Sequence, residues 1–259
     1  PWALVPNRET MPEEPSDGLN EARRQTIHGR GIHMLIARFN RTCAWVASHI
    51  VRSNNIQERV AIVNKFIRIA WHCYRQGNME SLCQIMFGLQ SPWIARRQQT
   101  WEQVALWELR AFEALRRFTS PREQFAFLRY SMREAIETNI PSRRFSPLTT
   151  SSSPYVPFFG QFVSDLSAID SLASFVDASG MPNTMPLYDD QELSLSWDAV
   201  VNVYRLRIKS DIVREFITLQ RGQRQGPAPP MELPILIEVL QLDTLSAMAI
   251  QSTSLALEP

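Results

Sequence analysis

The sequence predicts an all-α fold: a single helical bowl with a protruding helical hairpin and no significant sheet. Three observations predict it. Apolar residues recur at helical spacing in one segment after another, the pattern of a helix turning one face to a core. Sustained alternation, the signature of a half-buried strand, is absent. The segments begin and end on helix caps and breakers rather than on two-residue hairpin turns. The expected body helices are 32–52, 55–76, 79–90, 101–118 and 121–138.

In chain order, residues 1–18 hold four Pro (1, 6, 12 and 15) and Gly18, and read as extended. The whole of 1–31 is taken as an arm preceding a domain over 32–259. Trp2 is its one large apolar residue, either docked or on the surface. Ile32, Leu35, Ile36, Phe39, Val46 and Ile50 form the stripe expected to be buried in the first helix. Asn40 sits unfavourably in its middle, either bonded to a neighbouring element or exposed. Asn55-x-x-Glu58 reads as a capping box ahead of a face of Val60, Val63, Ile67, Ala70 and Tyr74. Gly77-Asn78 makes a turn, and Met79, Leu82, Cys83 and Met86 follow in a short helix. Thr100-x-x-Gln103 reads as a second capping box, with Val104, Leu109, Phe112 and Leu115 behind it. Ser120-Pro121 starts the next helix with Pro at its first position. Residues 139–157 are rich in Ser, Thr and Pro. They are a long loop, either a plain insertion or a phosphorylation site near Arg143 and Arg144.

Two amphipathic helices lie within Pro154–Gln220. The first is apolar at 158, 159, 162, 163, 166 and 169, the second at 201, 208, 212, 216 and 219. By periodicity they are either ordinary core helices or a hairpin, over about 157–220, standing away from the body. Ser164, Asp165, Ser167 and Ser171 are short polar residues that weaken a helix, which favours a face turned to a partner.

Composition narrows the functional classes. A formal net charge of +1 over 259 residues gives no strong field for nucleic acid. Three Cys, at 43, 73 and 83, are an odd number without metal-ligand spacing, as befits a reducing, cytoplasmic setting. No apolar run reaches the roughly 18 residues of a membrane span, and no signal peptide is visible at Pro1-Trp2. His28, His33, His49 and His72 form no metal set, and no phosphate-cradling Gly loop or nucleophile elbow occurs.

Several blocks carry a resemblance. Pro154-Tyr155-Val156-Pro157-Phe158-Phe159-Gly160 is followed by Ser164-Asp165-Leu166 and Ile169-Asp170. Val201-Asn202-Val203 and Arg205 open the second helix. Upstream stand Phe39-Asn40, Trp45-Val46, Lys65-Phe66-Ile67, and Gly88-Leu89-Gln90-Ser91 with Ile94 and Arg96. The chain closes on Ser254-Leu255-Ala256-Leu257-Glu258-Pro259. In order and spacing these blocks resemble the catalytic domain of Ras-type guanine-nucleotide exchange factors, from about residue 32 to 259. The resemblance implies a protein that opens the nucleotide site of a Ras-family small GTPase and promotes GDP release. It implies preference for the nucleotide-free form, no covalent chemistry, no cofactor, and no metal of its own.

By the same resemblance Phe158, Ser164, Asp165, Ser167, Ala168 and Ser171 form the working face, with Phe158 at least partly exposed. Ile36, Cys83, Gln90, Ser91, Ala95 and Arg96 contact the GTPase, and Asn202, Arg205 and Glu215 support the hairpin. No direct membrane insertion is implied, and peripheral recruitment would come from regions outside this chain. Two departures matter. Gln90 replaces the family's Asn, and Ser171 replaces the second Glu of its Glu-Glu-Gly-Asn-Pro run. The second loss leaves an alternative: a catalytically weak scaffold binding a GTPase or another signalling partner.

Overall fold

A computed structural model of the chain describes residues 19–139, 155–177, 179–182, 200–222 and 241–258. Residues 140–154, the bulk of the loop expected over 139–157, and most of the connection between the hairpin helices lie outside these residues. Among them, strand is confined to Phe175–Val176 (β1) and Val200–Val201 (β2), and the rest of the regular structure is helical. The chain divides into two compact units, one of Pro1–Arg129 with Gly226–Pro259 and one of Tyr130–Gln225.

The first unit opens on α1 (Leu19–Arg52). The expected arm over 1–31 is therefore helical from Leu19 onward. Gly29 and Gly31 each cost a helix about 1 kcal/mol, but no Pro follows until well beyond the helix end, so nothing stops it. The buried stripe is shorter than expected. Ile32 and Leu35 are half exposed and Asn40 is exposed, whereas Phe39, Val46, Ala47, Ile50 and Val51 are buried.

Helix α2 (Ile56–Arg75) starts at Asn55, whose side chain accepts from the Gln57 N–H at 2.8 Å. Only half of the capping box forms, because the Glu58 carboxylate accepts instead from the Ser53 hydroxyl. Gly77, at φ 73°, supplies the left-handed turn. Asn78 then caps α3 (Met79–Leu89) through the Ser81 N–H. Seven residues of α3 are buried, the most densely buried of the longer helices. Its Gly88 lets α1 approach closely: a Cβ there would stand 2.7 Å from Val46 Cβ and 2.8 Å from the Cys43 carbonyl oxygen.

Two short helices follow, α4 (Pro92–Ala95) and α5 (Gln98–Glu102), then α6 (Leu106–Phe118). The single helix expected over 101–118 is broken at Gln103–Ala105. Thr100 is no cap. It is buried inside α5, where its hydroxyl donates to Glu258 Oε1 at 2.7 Å and accepts from Arg59 Nε at 2.9 Å. A 3-10 turn over Arg122–Gln124 precedes α7 (Ala126–Asn139), with Glu123, Gln124 and Phe125 at positive φ. The helix expected from Pro121 thus begins five residues later, after a left-handed turn.

The carboxy-terminal helix of this unit, α10 (Ala247–Leu257), is capped by Ser246 and packs against α1 and α4. It ends in a buried charged cluster. Glu258 Oε1 accepts from Arg59 Nη2 at 3.3 Å, Arg97 Nη1 lies 4.0 Å from the same oxygen, and Arg96 donates to the Glu258 carbonyl at 2.7 Å. Burial lowers the pKa of Arg97, with Arg59 beside it acting in the same direction. The second unit holds α8 (Phe159–Asp170), the two strands and α9 (Val203–Gly222).

Candidate functional site

Within the second unit, α8 and α9 pack as a hairpin through aromatic rings. Phe216 of α9 stands edge-on to Phe162 at 5.2 Å and to Phe159 at 6.0 Å. At the start of α8, Phe158 is 3% exposed and folds over Gly160, where a Cβ would lie 2.4 Å from its ring. The expected partial exposure of Phe158 is corrected: the ring fills the space that Gly160 leaves, and it shapes the helix start rather than facing outward.

The far end of the hairpin is held by polar bonds. Asn202 caps α9 by accepting from the Arg205 N–H at 3.0 Å, and its Nδ2 donates to the Ala173 carbonyl at 2.9 Å. Its own N–H donates to the Ser174 carbonyl. Arg205 reaches back across the junction to the Ile169 carbonyl, the Ser174 hydroxyl and Asp170. Lys209 adds a second ion pair to Asp170. The hydrogen bond from Lys209, with the Arg205 guanidinium, holds the Asp170 carboxyl below its ordinary pKa. β1 pairs with β2 at this same junction, Phe175 opposite Val201. Glu215 is half-buried on α9.

The outer face of α8 is a stripe of small residues. Ser164, Ser167, Ala168 and Ser171, at i, i+3, i+4 and i+7, are all exposed, and Asp165 beside them is half-buried. The Ser171 hydroxyl donates to the Ala168 carbonyl at 2.7 Å. The buried side of the same helix carries Gln161, Phe162 and Ile169.

The other candidate contacts belong to the first unit. Ile36 is half-buried on α1 and Ala95 is exposed at the end of α4. Gln90 is half-buried, and its amide nitrogen donates to the Met86 carbonyl at 3.1 Å. Ser91 is half-buried at the cap of α4. Cys83 is fully buried, as expected of a core thiol, and so is not presented to a partner. Arg96 is half-buried and bonded to the Ser254 and Glu258 carbonyls of the chain's own last turn. The three cysteines are unpaired, and burial pushes the Cys43 thiol up to about 12 and raises Cys83 and Cys73 as well. Among the described residues no cluster of His, Cys, Asp and Glu suits a metal ion, and no helix is long and apolar enough to cross a membrane.

Sequence reasoning assigned no role to Lys209, to Asp170 or to the Arg59–Arg97–Glu258 cluster. The spacing of Arg205 and Lys209, one helical turn apart, was the available signal for the first. The carboxy-terminal Leu257-Glu258-Pro259 was read only as a resemblance.

Comparison with known proteins identifies the family. The family model of the RasGEF domain matches residues 11–207, and the chain belongs to that family. The match begins well before residue 32, where the resemblance was drawn to start. Among curated relatives, Ras guanine nucleotide exchange factor C of Dictyostelium discoideum is 30% identical over 132 residues, 51% of this chain and 8% of that protein. Rap guanine nucleotide exchange factor 5 of Homo sapiens is 35% identical over 94 residues, 36% of this chain and 16% of that protein. Ras guanine nucleotide exchange factor M of Dictyostelium discoideum is 24% identical over 139 residues, 54% of this chain and 13% of that protein. The aligned stretches thus span a small part of each of these relatives.

Proposed function

We propose that this chain promotes GDP release from a Ras-family small GTPase, prefers the nucleotide-free form, and makes no covalent change. The observation that carries this reading is the exposed stripe of Ser164, Ser167, Ala168 and Ser171 on a helix fixed at both ends. Small side chains allow another protein's backbone to come close, and a fixed helix transmits the approach as displacement. A protein that binds the nucleotide-free GTPase more tightly weakens nucleotide binding by the same factor, by linkage. Asp165 borders this working face. Ile36, Gln90, Ser91 and Ala95 are the accessible candidates for GTPase contact on the first unit. Phe158 acts by holding the start of α8, and Asn202 and Arg205, with Glu215 farther along α9, act by holding the hairpin. The setting is cytoplasmic, with peripheral recruitment to membranes.

The test is release of a fluorescent GDP analogue from a panel of purified Ras-family GTPases. Accelerated release from at least one supports the reading. The scaffold reading has one observation in its favour, the serine at position 171 where the family has a carboxylate. It requires capture of a nucleotide-free GTPase with no acceleration of release from any member of the panel.

A further inference from the structure

We propose that the outward faces of α2 and α6 form a docking surface for an anionic lipid bilayer. On α2, Lys65, Arg68, His72 and Arg75 follow at i, i+3, i+7 and i+10, and all four are exposed. On the adjoining α6, Arg110 and Arg117 are exposed on one face with Leu106. Acidic groups reduce this field without removing it: buried Glu108 neutralises Arg68, Glu113 is paired with Arg116, and Glu58 is exposed at the start of α2, whereas Lys65, Arg75, Arg110 and Arg117 form no ion pair among the described residues. The whole chain carries only +1, so the basic excess on this face is an asymmetry of arrangement rather than of composition.

The seam between the two helices is aromatic. Trp71 meets Trp107 at 6.1 Å and Tyr74 at 5.7 Å, and Tyr74 meets Phe118 at 4.9 Å. Trp107 remains 52% exposed and Leu106 63% exposed. Two readings other than a bilayer fit less well. A merely solvated charged face has no use for exposed Trp107 and Leu106 among its arginines. A nucleic-acid surface presents ring faces on which bases stack, whereas Trp71 and Trp107 stand at 78° and Tyr74 and Phe118 also at 78°, edge against face. Trp and Tyr with one apolar and one wet side belong at the headgroup level of a membrane. Basic residues around them are drawn to anionic headgroups.

The experiment is vesicle flotation with the full 259-residue chain. Neutral phosphatidylcholine vesicles are compared with vesicles carrying roughly 30 mol% phosphatidylserine, a strongly negative surface. Binding is expected only to the second, and it is expected to be lost at about 0.5 M salt, where the Debye length is a few ångströms. Each basic side chain near the surface is worth about 1 kcal/mol, so Arg75→Ala with Arg110→Ala should lower partitioning about 30-fold. Trp107→Ala should lower it several-fold without changing the salt dependence. Circular-dichroism melts confirm that the variants fold. Should one fail to fold, the lipid and salt dependence of the unaltered chain still decides. Equal binding to both vesicle types overturns the proposal, as does partitioning indifferent to the double substitution in a folded variant. Capture of an acidic peptide or an oligonucleotide through Arg75 and Arg110, without vesicle binding, also overturns it and reassigns the face.

Discussion

Replacing Asn202 by Ala isolates the junction that holds the hairpin. The substitution removes the cap acceptor for the Arg205 N–H and the donor to the Ala173 carbonyl, but leaves the backbone bond from residue 202 to the Ser174 carbonyl. Losing an N-cap costs about 1 kcal/mol, and losing a partly buried hydrogen bond costs about another 1 kcal/mol. The junction should lose about 2 kcal/mol of local stability, a factor of about 30 in its opening equilibrium. Amide hydrogen exchange of Arg205 and Leu206 should speed up by about that factor, while Ile67 and Met86 in the first unit keep their protection. GDP release in the presence of the variant should slow by as much as about 30-fold if an ordered junction is what the exchange reaction uses. Asn202→Asp retains the cap acceptor and loses only the donor, so it should fall between. Two results would refute the reasoning. Unchanged protection at Arg205 means the cap does not hold the junction. Lost protection with undiminished release means that junction order does not matter to exchange.

Three further outcomes follow from the same geometry. Glu258→Gln leaves Arg59 and Arg97 facing each other without their shared carboxylate, and uncompensated buried charge costs about 3–5 kcal/mol; a thermal melt should drop by about 6–20 °C, and a shift within error would refute the role given to the cluster. Gly88→Ala forces a methyl group against Val46 and the Cys43 carbonyl and should destabilise the chain by about 1–3 kcal/mol in a urea titration; a neutral result would show that α1 and α3 separate easily. The Asp170 carboxyl has a lowered pKa in the folded state, so its contribution is present above its unfolded pKa, about 4, and is lost as pH falls through the folded value. Exchange protection at the hairpin junction, corrected for intrinsic rates, should therefore begin to fall as pH drops towards about 4 and keep falling until pH is below the folded value in the parent chain, and should change little in Asp170→Asn.

What was legible in the sequence was the part governed by local periodicity and by short-range caps. The faces of α2 and α3, the cap at Asn55 and the turn at Gly77-Asn78 follow from residues within four positions of each other. The failures share a cause. Thr100 looked like a cap because Gln103 stood three residues on, yet its hydroxyl is bonded to Glu258, 158 positions away. Ile32 and Leu35 matched a buried stripe by spacing, but spacing states which way a side chain points and not whether another element covers it. Among the candidate site residues, the accessible stripe on α8 was readable from its short polar residues. The burial of Phe158 was not, because it depends on the ring folding back over a glycine two positions on.

Among the described residues, the carboxylate missing at position 171 has no substitute nearby. Asp170 is adjacent, but it is engaged by both Lys209 and Arg205, whose hydrogen bonds and charges lower its pKa. Releasing it toward a partner's metal site would cost the bonds that fix the hairpin. The Ser171 hydroxyl is turned back to the Ala168 carbonyl, so the end of α8 offers no free negative charge at that position. Under the proposed function, exchange would rest on steric opening by the stripe, without a carboxylate from position 171 competing for the GTPase's magnesium. Ser171→Glu tests this directly. Position 171 is exposed, so a longer side chain meets no obstacle at the end of the helix. A carboxylate acting against a bound cation in a partly dry site gains about 1–3 kcal/mol, the range of a charge-assisted hydrogen bond. GDP release should therefore accelerate by about 5- to 100-fold at millimolar magnesium. The gain should shrink when magnesium is chelated, because the competitor then has nothing to displace. An acceleration that survives chelation would assign the effect to contact with the protein surface instead. No acceleration at either magnesium level would show that the serine is not what limits exchange.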